Sequence, residues 1–70
     1  MEILVNGKPR AVKDTAPEMA SFLQAYEKIQ PTEKGVAVAL NGQVVPRALW
    51  AETTLKDGDV IEVVRAFQGG

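Results

Sequence analysis

Val36-Ala37-Val38-Ala39-Leu40-Asn41-Gly42-Gln43-Val44-Val45-Pro46-Arg47 carries the clearest structural signal in the chain. Val36 to Leu40 alternates branched and small residues, the pattern of a strand with two unequal faces. Val36, Val38 and Leu40 share one face, and Ala37 and Ala39 share the other. Asn41-Gly42 is a turn pair that tolerates the positive φ angles of a tight hairpin. A short strand from Gln43 to Val45 returns from it. Pro46 stops that strand or marks it as a sheet edge.

The N-terminal segment repeats this design. Glu2 to Asn6 reads as a strand, Asn6-Gly7 as a turn, and Pro9 to Lys13 as an antiparallel return. Met1, Ile3 and Val5 fall on one face, and Leu4 points the other way. Between the two hairpins lies a helix, placed at Ala16 to Lys28. Thr15 and Glu18 have capping-box spacing. Pro17 sits in the first turn, where its missing N–H does no harm. Met19, Phe22, Leu23, Tyr26 and Ile29 recur at helical spacing and form one apolar face. Pro31 ends the pattern, and Thr32 to Gly35 is a polar loop.

Beyond Arg47 the stretch to Thr54 reads as irregular, with Trp50 covering one end of the core. Lys56-Asp57-Gly58-Asp59 is a turn. Val60 to Ala66 is the last strand, and Phe67-Gln68-Gly69-Gly70 trails from it. The order is strand, strand, helix, strand, short strand, strand. That is an α+β chain of the β-grasp, or ubiquitin-like, type: a mixed four- to five-stranded sheet with one helix packed on one face. The expected domain spans residues 1–66, and residues 67–70 form a flexible C-terminal tail.

Composition narrows the chemistry. Seventy residues make at most one domain. Aromatics are 6% of the chain, so the core is mainly aliphatic and a deep ligand pocket is not expected. The chain has no cysteine and no histidine, which removes thiol catalysis, thiolate metal sites and the commonest general base. With eight basic and nine acidic residues the net charge is −1, unlike the basic stripe of a nucleic-acid binder. No apolar run near Met1 suits a signal peptide or a membrane span, so a cytoplasmic location is expected. A stand-alone enzyme is disfavoured, although Asp, Glu, Lys and Tyr still permit acid–base chemistry.

Several segments resemble the thiamine-biosynthesis sulfur carrier proteins of the ThiS type. These are Val36 through Asn41-Gly42 to Pro46-Arg47, then Trp50-Ala51-Glu52 with Leu55-Lys56-Asp57-Gly58-Asp59, and finally Val60 to Gly70 with its terminal Gly-Gly. Met1 to Gly7 resembles the family's first strand. The helix resembles it only in pattern, and Lys13 to Ala16 lacks a glycine often found there.

The resemblance implies a mechanism. The Gly70 carboxylate is ionised at neutral pH and is a poor electrophile until activated. An E1-like adenylating enzyme activates it with ATP. Sulfur from a cysteine desulfurase or similar donor then converts it to a thiocarboxylate. A thiazole synthase accepts the sulfur. The chain binds no cofactor of its own, and ATP is used by the partner. Nucleic acid and membrane are not expected partners. Other carrier pathways, molybdopterin or tRNA thiolation, share this chemistry. A ubiquitin-like modifier or interaction module would also use a Gly-Gly end.

Physical chemistry adds a reason for the glycines. Without Cβ atoms, Gly69 and Gly70 pass through a narrow channel and take backbone angles closed to other residues. Ala66 to Gly70 reach roughly 17 Å when extended. Read alone, the same residues also fit a frayed terminus.

The sheet face away from the helix is a candidate docking surface. Leu4, Ala37, Ala39 and Val64 form a small apolar patch there, with Phe67 and Gln68 as further partner contacts. Scattered surface aliphatics would give the same pattern. Arg47 and Arg65 suit either solvent or an acidic partner. Asp57 and Asp59 flank a glycine and read as a turn rather than a metal site.

Overall fold

A computed structural model describes residues 1–13 and 17–66. Five strands form one mixed sheet: β1 (Glu2–Val5), β2 (Lys8–Ala11), β3 (Val36–Leu40), β4 (Gln43–Val44) and β5 (Val60–Arg65), in the order β2-β1-β5-β3-β4. β1 and β5 run parallel at the centre, and every other neighbouring pair is antiparallel. One helix, α1 (Met19–Glu27), packs across one face.

Both Asn-Gly pairs do what their chemistry allows. Asn6 and Gly7 have φ of 50° and 82°, and Asn41 and Gly42 have 51° and 86°. Two consecutive positive φ angles give the turn whose twist matches the strands it joins. Alternation then assigns the faces. Ile3, Val5, Val38 and Ile61 point into the core and meet Met19, Phe22 and Leu23 from the helix. Trp50 closes one end of this core, 2% exposed, with its indole N–H on the Val45 carbonyl at 2.9 Å.

The helix is shorter at its start than its sequence pattern implies. It begins at Met19, and Glu18 is an extended N-cap whose side chain caps nothing. The capping-box pairing of Glu18 with Thr15 lies outside the described residues. Glu18 is instead held in a β-bridge with Thr54, and the Met19 N–H bonds the Thr53 carbonyl at 2.7 Å. A backbone donor of the first turn finds its partner across the fold, so no local side chain is required. At the other end Lys28 is left-handed, with φ of 58°. The N–H groups of Lys28 and Ile29 both reach the Leu23 carbonyl. This closes the helix before Pro31 and tucks Ile29 into the core just beyond it.

The stretch after Pro46 is not irregular. Arg47–Glu52 is a 3-10 helix. The Leu49 N–H bonds the Pro46 carbonyl at 2.8 Å, and the Arg47 guanidinium lies 4.7 Å from the Trp50 ring centre. Arg47 also donates to the Pro31 carbonyl. These contacts press the segment onto the core and hold Trp50 in place. β1, β4 and β5 each end one residue before their expected limits, and β2 starts one residue earlier and ends two residues earlier than expected.

Asp57 and Asp59 serve the turn before β5. Asp57 accepts the Glu2 N–H at 2.7 Å. Asp59 is 5% exposed; it accepts the Lys56 N–H at 2.8 Å and the Asn41 side-chain amide at 3.1 Å. Asn41 in turn accepts the Val60 N–H at 2.9 Å, so the two turns are locked together. Asp59→Ala leaves the part-buried Lys56 N–H without its acceptor and breaks the link to the Asn41 amide. The expected cost is about 1–3 kcal/mol. Urea denaturation measures it, with Asp57→Ala at the exposed site costing less.

Candidate functional site: the exit of β5 and the open sheet face

The last described residues form a braced exit. β1 stops at Val5, so β5 loses its parallel neighbour after Ile61. The Asn6 side chain replaces it: its carbonyl accepts the Val63 N–H at 2.8 Å and its amide donates to the Val63 carbonyl at 3.2 Å. A side-chain amide thus mimics one more peptide unit of β1. On the other side β3 pairs β5 as far as Val36–Arg65, and the Ala66 N–H bonds the Gly35 carbonyl at 2.6 Å. Arg65 reaches the Glu27 carbonyl at 3.4 Å and the Glu33 carboxylate at 3.7 Å. The strand backbone is held on both sides as far as Val63 and on the β3 side as far as Ala66. Phe67, Gln68, Gly69 and Gly70 lie outside the described residues.

Register orders the open face into rows. Leu4 stands beside Pro9 and Val60. Glu62, Ala39 and Val44 form the next row, and Val64 with Ala37 the last. Ala37, Ala39 and Val64 come together around a shallow depression of about 170 Å³, with Val38, Val44 and Glu62 completing its wall. Leu4 shares the face but does not line the depression. Val44 belongs to the patch and was missed; it is 73% exposed. A two-residue turn at Asn41-Gly42 forces Leu40 opposite Gln43 and Ala39 opposite Val44, so the turn itself held the signal.

Arg47 and Arg65 are both engaged within the chain, on Trp50 and Pro31 and on Glu27 and Glu33. Among the described residues no group of three or more His, Cys, Asp or Glu side chains is placed to hold a metal ion. The arrangement offers a backbone strand leading out of the sheet, next to an apolar face.

The ThiS family model matches residues 3–70. The sulfur carrier protein ThiS of Escherichia coli (strain K12) is 39% identical over 70 residues, covering 100% of both chains. That of Thermus thermophilus is 35% identical over 68 residues, covering 97% of this chain and 98% of its own. The crystal structure of a thiamine biosynthesis protein (ThiS) from Geobacter metallireducens superposes with a TM-score of 0.82 at 35% identity, covering 100% of each chain.

Proposed function

The chain belongs to the ThiS family, and from that membership we propose that it is a sulfur carrier whose Gly70 carboxylate is the working group. One observation carries the reading: the family match runs through residue 70, so it includes the Gly-Gly end as well as the folded body. The braced β5 exit supports it, because a carrier must present its end away from the sheet.

In this reading the Gly70 carboxylate attacks the α-phosphorus of ATP on an E1-like adenylating enzyme and pyrophosphate leaves. A persulfide sulfur then attacks the acyl carbon and AMP leaves. A second thiol cleaves the resulting S–S bond, giving a thiocarboxylate on the carrier and a disulfide on the donor. The thiocarboxylate passes its sulfur to a thiazole synthase for the thiazole ring of thiamine. The enzymes supply the catalytic groups, and the chain acts as a cosubstrate. No helix among the described residues is long and apolar enough to cross a membrane. The reaction draws on ATP and a persulfide donor, and we place it in the cytoplasm.

Pyrophosphate exchange into ATP by the adenylating enzyme tests the activation step. Exchange that depends on adding the chain supports the reading, and an enzyme competent on another carrier but silent with this one contradicts it.

The open face supplies the docking surface in this scheme. Ala37→Arg places a charge in the depression and is expected to raise KM for the adenylating enzyme about tenfold, roughly 1.4 kcal/mol, with kcat unchanged. Leu4→Arg, on the same face but outside the depression, is expected to raise it less. An unchanged KM for Ala37→Arg removes the depression from the interface.

A further inference from the structure

Charge is divided between the two ends of the molecule. β1 and β5 are parallel, so the β1–β2 turn and Lys8 lie toward the end where β5 leaves the sheet. The Ala66–Gly35 hydrogen bond brings Lys34 to that end, and the reach of Arg65 to Glu27 and Glu33 brings Lys28. Arg10 joins them through its 2.9 Å ion pair with Glu27. Five basic side chains there face two acidic ones, a surplus of three positive charges.

The opposite end is acidic. Glu2 exchanges hydrogen bonds with the 57–58 turn, and Glu18 pairs with Thr54 beside Glu52. Glu2, Glu18, Glu52, Asp57 and Asp59 outnumber Lys13, Lys56 and the Met1 amine there. A chain with net charge −1 therefore carries a positive cap at the end its tail leaves from.

Internal contacts account for part of that cap. Arg10 and Arg65 pair with Glu27 and Glu33, consuming both carboxylates. Lys28 donates to the Ala25 carbonyl near the helix C-terminus, where positive charge is favourable. Lys8 and Lys34 are exposed, and neither takes part in an ion pair or side-chain hydrogen bond among the described residues. They straddle β5, Lys8 following β1 on one side and Lys34 preceding β3 on the other.

We infer that this cap docks on an acidic lip around the mouth of the partner channel that receives the tail, with Lys8 and Lys34 as its two unspent contacts. The inference rests on the carrier reading above and names the chemistry of the partner surface. An end-to-end charge separation orients the approaching chain tail first, which raises the encounter rate and not the chemical step. The acidic end is repelled by the same lip, so the wrong orientation is disfavoured.

The test compares two double variants with equal change in net charge, Lys8→Glu with Lys34→Glu, and Lys13→Glu with Lys56→Glu. Steady-state adenylation is followed at low and high ionic strength, and circular dichroism confirms that each variant is folded. At about 0.05 M salt the first pair is expected to lose at least tenfold in kcat/KM, through KM, and most of that loss should vanish near 0.5 M as screening shortens the Debye length. The second pair should stay within about twofold of the parent. Equal losses in the two pairs, or a loss that salt does not relieve, overturn the inference. Turnover of the unaltered chain reports separately on the carrier function, so a failure there is distinguished from a failure of the charged cap.

Discussion

Deleting Gly70 is expected to abolish adenylation while leaving the fold intact. The deletion still leaves a glycine carboxylate, now on Gly69, so the chemistry of the group is unchanged. What changes is reach, by about 3.3–3.6 Å for one residue. Misplacing a reacting group by only 1 Å can cost about 100-fold in rate, so a full residue should reduce pyrophosphate exchange at least that far. Gly69→Val keeps the length and adds a branched side chain that the narrow partner channel of the proposed mechanism would not admit, and it should fail nearly as completely. Both changes lie beyond the core of the described residues, whose last buried member is Ile61, with Val63 packed against it. The thermal midpoint should therefore not move for either variant. Exchange at the parental rate in the deletion variant would show that the carboxyl end is not the reacting group.

Phe22→Ala should remove most of the stability of the domain. Phe22 is 1% exposed, at the centre of the helix face between Met19 and Leu23. Its ring stacks on Tyr26 with centroids 5.2 Å apart. Truncating a buried phenylalanine costs about 3–5 kcal/mol. Domains have about 0.05–0.15 kcal/mol per residue in hand, which is roughly 3.5–10 kcal/mol for a chain of this size. No disulfide makes up the difference, since the chain has no cysteine. Urea denaturation should show a large fall in midpoint, and Phe22→Leu a smaller one. Carrier activity should fall with the unfolded fraction and return where the variant is folded, unlike the Gly70 deletion. A loss under about 1 kcal/mol would mean that the helix does not organise the core through this residue.

What the sequence revealed followed from whether the determining contact was local. β3 appears at its expected limits because Val36 to Leu40 alternates and Asn41-Gly42 fixes its end. Ala37, Ala39 and Val64 were placeable on the open face by counting residues. Their separation from Leu4 was not, because it depends on the parallel register of β1 against β5, set by residues more than fifty positions apart. The helix start was misjudged for the same reason. Thr15 and Glu18 have the right spacing, but Thr53 and Thr54 decide where the first turn begins. Arg47–Glu52 is too short to show a period, and its helical form follows from the burial of Trp50 and the grip of Arg47 on Pro31. The bracing of β5 by Asn6 was hidden because Asn6 already had a full explanation as a turn residue. The proposed working group was different again. Nothing in hydropathy separates Gly69-Gly70 from a frayed end, and only the likeness along the chain marks it out.

The most direct measurement is the intact mass of the chain after incubation with an adenylating enzyme, ATP and a sulfide source. The account predicts that one oxygen is exchanged for one sulfur, and that fragmentation places the change on Gly70. An unchanged mass, with the same enzyme competent on another carrier, would contradict it.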